Sequence, residues 1–275
     1  MKQIASSFVF CILVFFTTNF VCVTSLAKTI KPESSKEVAP KNTQLRIAVA
    51  ANFAPVLKKL LVTFEAQTGI KSQVISGASG AIYLQLSHGA PFDIFLSADS
   101  KRPKALEQAK LSLVNSRKTY ALGQLALYNS SINQREFPQA ISSKSALEKI
   151  PRYFAIANPV IAPYGKAAKE TLQHLKLWHS YEKRLIKGIN INQTFAQIRS
   201  KSVSSGLVSQ SQLVLNNLKG FIIPNHFHQP ITQQLIILKK SKNRQQAQRL
   251  SDFLLSPSIQ KIILSYGYAN REVAS

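Results

Sequence analysis

The pattern of apolar and polar positions first predicts a strand that turns directly into a helix. Residues 45–49 form a short apolar run, typical of a buried strand. After a break, apolar residues recur at helical spacing over 56–64, and Gly69 stands where a helix C′ residue belongs. Asn52 is a favoured N-cap residue and Pro55 suits a first helical turn, so we predict a helix that begins just after Asn52.

A second copy of this pattern follows at once. Residues 71–75 predict a strand and 81–86 a helix, with Ser79 between two glycines at the helix start. Two parallel strands would bring both helix N-termini, with their unpaired N–H groups, to one edge of a sheet. The pair predicts an anion site in that crevice. On these segments alone, the alternative that each cap satisfies only itself stays open.

The alternation of strands and helices continues to the C-terminal end. It predicts parallel sheets covered by helices on both faces. The predicted strands are 91–96, 120–128, 154–157, 185–191, 206–209, 220–223 and 231–238, and the predicted helices are about 100–110, 166–175, 192–201, 210–216, 243–255 and 257–266. Asn192 is the predicted N-cap of the helix 192–201. The runs 120–128 and 231–238 are predicted to cross between two lobes.

The N-terminal residues predict export. Residues 1–27 have an apolar core and end in a small-x-small cleavage site, which predicts a secretory signal peptide; an uncleaved anchor is the alternative. Residues 28–44 lack apolar periodicity and predict a flexible linker. The two cysteines, Cys11 and Cys22, both lie in the signal. A mature chain without cysteine has no disulfide, thiol catalyst or cysteine metal site.

The charge balance favours anionic partners. The chain has 35 Lys and Arg against 12 Asp and Glu, a formal net charge of +23. The basic residues are scattered, however, and form no basic helix and no aromatic-interleaved stripe of the kind that binds single strands. We therefore predict no nucleic-acid partner, and expect a solvated basic surface that concentrates small anions.

Candidate catalytic and metal-binding residues are few. Asp93 and Asp99 are the aspartates of one region, but Asp99 fits better as a helix cap than as half of an acid–base pair. His226 and His228 lack a partner carboxylate or cysteine for a metal. Tyr164 ends a rigid loop and offers a hydroxyl donor at a helix start, or else only packs there. We predict no catalytic residue and no free-cation site.

Four stretches together resemble the periplasmic molybdate-binding proteins of ABC importers, within the two-domain solute-binding family. They are AVAANF (48–53), ISGASG (75–80), GAPFDIFLSAD (89–99) and NPVIAPYG (158–165). They occur in the family's order and spacing, and the similarity extends over nearly all of 45–270. The APYG form resembles the branch of the family that has a tyrosine in this loop.

The resemblance implies a type II periplasmic-binding-protein fold, which is an α/β fold of two lobes with parallel-type sheets and a hinge between them. Lobe I would comprise 45–122 plus 237–275, and lobe II 123–236. It also implies an extracytoplasmic monomer, located in the periplasm, that captures molybdate or tungstate and delivers it to the membrane permease of an ABC importer. No cofactor is implied.

The resemblance further implies that a tetrahedral oxyanion is held by neutral donors alone. Asn52 and Ser79 would contribute side chains and N–H groups from the first lobe, and Tyr164 and the Ile191 N–H would contribute from the second. Ala51, where relatives have a hydroxyl residue, can offer only its N–H.

The chemistry of the anions fits this donor set. A fully ionised dianion needs donors and no acceptor, whereas phosphate retains a proton near neutral pH and prefers a carboxylate in the site. Two alternatives remain at this point. One is a binding protein for another tetrahedral oxyanion such as sulfate; the other is an enzyme on the same fold that acts on a small phosphorylated substrate.

Overall fold

The computed structural model describes residues 44–132, 142–149 and 151–270. The contacts of the chain group Lys41–Ser275 into one compact unit. The predicted signal peptide 1–27 and nearly all of the predicted linker 28–44 lie outside the described residues, so both stay predictions. In the described ranges, no helix has the length and apolar character needed to cross a membrane.

The first sheet is built around β1, whose side chains are almost all buried. Its strands are β1 (Leu45–Ala50), β2 (Ser72–Gly77), β3 (Ile94–Ser97), β4 (Lys118–Gly123) and β10 (Ile231–Ile237), in the spatial order β2-β1-β3-β10-β4. β1 pairs in parallel with β2 and β3, and β10 runs antiparallel to β3 and β4. The carboxyl ends of β1, β2 and β3 therefore meet at one edge of this sheet.

The second sheet has the same number of strands. They are β5 (Leu125–Asn129), β6 (Phe154–Ala157), β7 (Leu185–Gly188), β8 (Ser205–Ser209) and β9 (Phe221–Ile222), in the order β7-β6-β8-β5-β9. β6 is parallel to β7 and β8, while β5 is antiparallel to β8 and β9. The predicted α/β class is thus confirmed, but both sheets are mixed, because β5 and β10 run against their neighbours.

Helices pack against both sheets. They are α1 (Ala54–Thr68), α2 (Ser79–Ser87), α3 (Lys101–Gln108), α4 (Ser143–Glu148), α5 (Pro163–His174), α6 (Trp178–Glu182), α7 (Ile191–Arg199), α8 (Gln210–Leu215), α9 (Arg244–Leu255) and α10 (Pro257–Ser265), with a 3-10 turn at Asn225–Phe227. Buried residues of α1, α9 and α10 pack together with strands of the first sheet in one hydrophobic core. The short helices α4 and α6 were not predicted from the sequence.

The chain passes between the sheets twice. The predicted strand 120–128 is in fact two strands of different sheets, β4 and β5, joined by Gln124. This is where the sequence placed the first crossing. β10 belongs wholly to the first sheet, so by sheet membership the return lies before Ile231, whereas the predicted lobe boundary was at 237. Sheet membership depends on strand pairing, which periodicity does not report, and the lobe boundaries stay a prediction.

Two predicted helix caps are wrong. Phe53, not Asn52, occupies the N-cap position of α1, without a side-chain cap bond. Asn190, not Asn192, caps α7, because its side-chain oxygen accepts the N–H groups of Asn192 and Gln193. α7 therefore begins at Ile191. At its other end α1 follows the prediction, since Gly69 adopts the left-handed conformation with φ +69°.

The packing of α1 on β1 yields a stability prediction. Leu57 is fully buried on α1, whereas Val62 on the same helix is 72% exposed. We expect Leu57→Ala to lower the free energy of unfolding by about 2–5 kcal/mol, because it leaves a cavity. Val62→Ala, the matched control, should change it by no more than about 0.5 kcal/mol. Urea denaturation measures both, and equal losses would contradict this account of the core.

Candidate functional site

A cavity lies where the strand–helix junctions of the two sheets meet, and it contains every residue predicted for the site. It is lined by Ala50, Ala51, Asn52, Gly77, Ala78, Ser79, Ala98, Ala162, Pro163, Tyr164, Asn190 and Ile191. None of these side chains is charged. The cavity has room for about one water-sized sphere, since the volume open to the centre of such a sphere is about 10 Å³. The cavity is therefore small and uncharged, with a few polar groups in a mostly apolar lining.

Ser79 is placed in the cavity by the turn from β2 into α2. It is the first residue of α2 and is 1% exposed. Its Oγ accepts the N–H of Ala98 at 2.9 Å, so the hydroxyl proton is left for donation elsewhere. Its own N–H belongs to the first turn of a helix, where no intrahelical acceptor exists. Ser79 can therefore present two neutral donors to the cavity.

Tyr164 and Ile191 come from helices that follow strands of the second sheet. Tyr164 lies in the first turn of α5 and is 2% exposed. Its hydroxyl accepts from Gln233 Nε2 at 3.2 Å, so its proton is available for donation. Ile191 is the first residue of α7 and is 3% exposed. Because it opens the helix, its N–H also has no intrahelical acceptor.

The donors expected from Ala51 and from the Asn52 side chain are already engaged. Asn52 Nδ2 donates to Gln233 Oε1 at 3.0 Å and to the Tyr268 hydroxyl at 3.2 Å, which uses both amide hydrogens. The N–H of Ala51 donates to the Gly77 carbonyl at 2.9 Å and extends the β1–β2 ladder. In this arrangement Ala51 lines the cavity without a free donor, and Asn52 offers its backbone N–H only.

A buried hydrogen-bond network behind the cavity was missed by the sequence analysis. Gln233, on β10, is its centre: Oε1 also accepts the Tyr120 hydroxyl at 2.9 Å, and Nε2 reaches Tyr164. A signal for Gln233 was present, because it shares a strand face with Ile231 and Leu235 and so is a polar residue at a core position. Tyr268, beyond the last helix, carried no such signal.

The phenols of this network are held neutral. Burial raises the pKa of Tyr164 and Tyr120 well above the ordinary value, and the nearby Tyr268 phenol adds to the effect. Burial also raises the pKa of Tyr268. The stability that these neutral phenols contribute is complete below the unfolded-state pKa near 10 and is lost as the pH rises above it. At neutral pH, Tyr164 is a proton donor without charge.

Direct contacts hold the two sides of the crevice together. The N–H of Gly80 donates to the Ile161 carbonyl at 2.9 Å. A Cβ at Gly80 would stand 2.9 Å from that carbonyl oxygen, so a side chain would push the two sides apart. Nearby, Arg102 pairs with Asp99 and donates from Nη2 to the Val160 carbonyl at 3.3 Å. α2 and α3 thus rest on the loop that precedes α5.

The two aspartates considered as an acid–base pair serve separate structural networks. Asp93 accepts from the Arg46 N–H, Ser241 Oγ and Asn243 Nδ2 at 2.8, 2.6 and 3.1 Å. Asp99 accepts from the Arg102 N–H at 3.0 Å as well as from its guanidinium. In the part of the chain that is described, no group of three or more His, Cys, Asp or Glu residues could hold a metal ion.

Comparison with known proteins shows the family to which this chain belongs. The family model for bacterial extracellular solute-binding proteins matches residues 45–269. A molybdate-binding protein of Azotobacter vinelandii is 34% identical over 234 residues, which cover 84% of this chain and 91% of that protein. One of Rhodobacter capsulatus is 34% identical over 223 residues, which cover 80% and 86%.

A solved structure agrees with the sequence relatives. The periplasmic molybdate-binding protein of Azotobacter vinelandii superposes with a TM-score of 0.76 at 31% identity, over 82% of this chain and 99% of that one. The chain belongs to the bacterial extracellular solute-binding protein family. The two sequence relatives and the solved structure described above are molybdate-binding proteins, so the resemblance carried by the four motifs is confirmed, as is the periplasmic-binding-protein fold.

The Gln233 network yields a second stability prediction. Gln233→Leu removes one acceptor from Asn52 Nδ2 and one from the Tyr120 hydroxyl, and it removes the donor to the Tyr164 hydroxyl. Because Asn52 Nδ2 keeps Tyr268 and the Tyr120 hydroxyl keeps the Ser97 carbonyl, we expect the free energy of unfolding to fall by about 1–3 kcal/mol. Gln234→Leu is the matched control on the same strand. Its side chain is only partly buried, so water replaces its bonds and the loss should stay near or below about 1 kcal/mol. Chemical denaturation of both variants tests this; a Gln233→Leu loss no larger than that of Gln234→Leu would contradict it.

Proposed function

We propose that this chain is a periplasmic solute-binding protein that captures molybdate or tungstate in the cavity and delivers it to the membrane permease of an ABC importer. One observation carries the proposal: among the described residues no charged side chain lines the cavity, and its polar side chains, those of Asn52, Ser79, Tyr164 and Asn190, are all neutral. The names of the relatives support the same ligand. The chain acts as a monomer without a cofactor and catalyses no reaction.

The donor set that we propose differs in part from the one expected from the resemblance. It consists of the Ser79 hydroxyl and N–H, the Asn52 N–H, the Tyr164 hydroxyl and the Ile191 N–H. Three of the four residues lie in the first turn of a helix, where the helix dipole also favours an anion. A fully ionised dianion is served by donors alone. A protonated phosphate would leave its own O–H without an acceptor here.

Binding requires the two sides of the crevice to part, because the cavity has room for about one water-sized sphere. We propose that the two crossings between the sheets, at Gln124 and before Ile231, act as the hinge. The Gly80–Ile161 bond and the Arg102–Val160 bond then open and close with the lobes. The five residues of the expected site come from both sides of this hinge, Ala51, Asn52 and Ser79 from the first sheet's side and Tyr164 and Ile191 from the second's.

The neutral donor set predicts an order of anions. Molybdate and tungstate should stabilise the purified protein far more than sulfate, whose charge and shape are the same but whose bonds are shorter, and phosphate should hardly stabilise it. The stabilisation should grow as RT ln(1 + [L]/Kd), about 2.7 kcal/mol at a hundredfold excess over Kd. Thermal-shift or calorimetric titration with the four anions measures it. Equal shifts for sulfate and molybdate would overturn the assignment.

Tyr164 gives the sharpest test of the proposed donors. Tyr164→Phe keeps the ring and removes only the hydroxyl, so it should weaken molybdate binding ten- to a hundredfold, the effect of a lost bond to a charged ligand of about 1.5–3 kcal/mol. Tyr181→Phe is the matched control. It removes another buried hydroxyl, which donates to the Leu147 carbonyl at 2.6 Å outside the cavity.

Calorimetric Kd values for the two variants decide the point. Tyr181→Phe should bind molybdate as the parent does, even where its stability falls. Ile191→Val should also retain affinity, because only the backbone N–H of Ile191 is proposed to reach the anion. If Tyr164→Phe binds normally and Ile191→Val does not, the second-sheet half of the proposed site is wrong.

A further inference from the structure

A second, much larger cavity lies on the opposite edge of the first sheet. The volume open to the centre of a water-sized sphere is about 710 Å³ here, against about 10 Å³ in the small cavity. Gly89 and Phe92 line it just before β3 begins, and Leu238 and Lys239 line it just after the antiparallel β10 ends. The small cavity lies beyond the carboxyl ends of β1 and β2. An occupant of the large cavity therefore leaves the small one free.

The rim of this basic cavity carries four unpaired cations. They are the exposed side chains of Lys110, Lys239, Lys240 and Arg244, and no described residue forms an ion pair with any of them. Among the residues that the structure describes, no Asp or Glu lines the cavity. Arg244 Nη2 donates to the Lys239 carbonyl at 2.6 Å, which holds the guanidinium at the rim. Lys240 Nζ lies over Gly89, 3.8 Å from where a Cβ would be.

The floor of the basic cavity is apolar. It is formed by the buried side chains of Leu86, Phe92 and Leu238. A small inorganic anion would use the rim and leave this floor bare. A peptide made up mainly of acidic residues would do the same with its carboxylates. A phospholipid carries both parts, since its phosphate suits the lysines and its glycerol and acyl chains suit the floor.

The local sequence adds to the positive charge. Lys239, Lys240, Lys242 and Arg244 fall within six residues, and each Lys or Arg close to an anionic lipid surface contributes about 1 kcal/mol of attraction. We propose that the basic cavity docks the protein on an anionic phospholipid bilayer. The lipid phosphates lie at the rim, and the lipid backbone covers Leu86, Phe92 and Leu238. This role is separate from the proposed capture of an oxyanion.

Vesicle flotation tests the proposal with the compact unit Lys41–Ser275, which leaves out the apolar N-terminal segment that would itself bind lipid. The protein should float with phosphatidylglycerol vesicles and not with phosphatidylcholine vesicles. The variant Lys239→Gln/Lys240→Gln should bind about thirtyfold more weakly, which corresponds to about 1 kcal/mol for each lysine near the surface. The variant Lys58→Gln/Lys59→Gln is the matched control, since it removes two adjacent exposed lysines of α1.

The control should bind nearly as well as the parent. Equal losses in both variants would overturn the proposal, because attraction would then depend on overall charge alone. Displacement from the vesicles by millimolar inorganic phosphate at constant ionic strength would also overturn it, in favour of a small-anion site. Urea unfolding of each variant reports whether the fold is intact. Flotation needs no molybdate, so its result is independent of the proposed oxyanion binding. If Lys239→Gln/Lys240→Gln unfolds more readily, Lys110→Gln should still weaken flotation.

Discussion

One buried amide, that of Gln233, ties together the parts of the candidate site. Its oxygen accepts from Asn52 at the end of β1 and from Tyr120 on β4, and its nitrogen donates to Tyr164 at the start of α5. These bonds exist only if β10 returns to the first sheet and α5 reaches across from the second. Because an unpaired polar group in such a place is costly, this side chain couples the correct arrangement of both sheets to the stability of the fold.

The same network decides which groups remain for a ligand. Asn52 donates its amide hydrogens to Gln233 and Tyr268, so its side chain fixes the turn, and only its backbone N–H is left for the ligand that we propose. Tyr164 and Ser79 are in the reverse situation: each hydroxyl accepts one bond from the protein and keeps its proton. A structural bond thus orients each hydroxyl that we propose as a donor.

Much of this arrangement was predictable from local pattern. The β1–α1 and β2–α2 units, the capping role of Gly69 and the positions of Ser79 and Tyr164 at helix starts followed from periodicity and residue type. Three features could not be predicted in this way. They are the N-cap of α1 at Phe53 instead of Asn52, the division of 120–128 between two sheets, and the direction of β10. Each of these depends on a partner distant in sequence, such as Gln233 for Asn52, and no local propensity reports such a partner.

The distribution of charge in this protein, whose net charge is +23, agrees with the selection between anions that we propose. A lysine inside the cavity would attract every anion, whether protonated or not, and would reduce the difference between them. Here the cations lie outside, at Arg102 by the mouth of the crevice and at Lys239 and Lys240 on the far edge of the sheet. Charge at a distance raises the local concentration of anions. Selection is left to neutral donors at fixed positions, which favour a ligand that needs no acceptor.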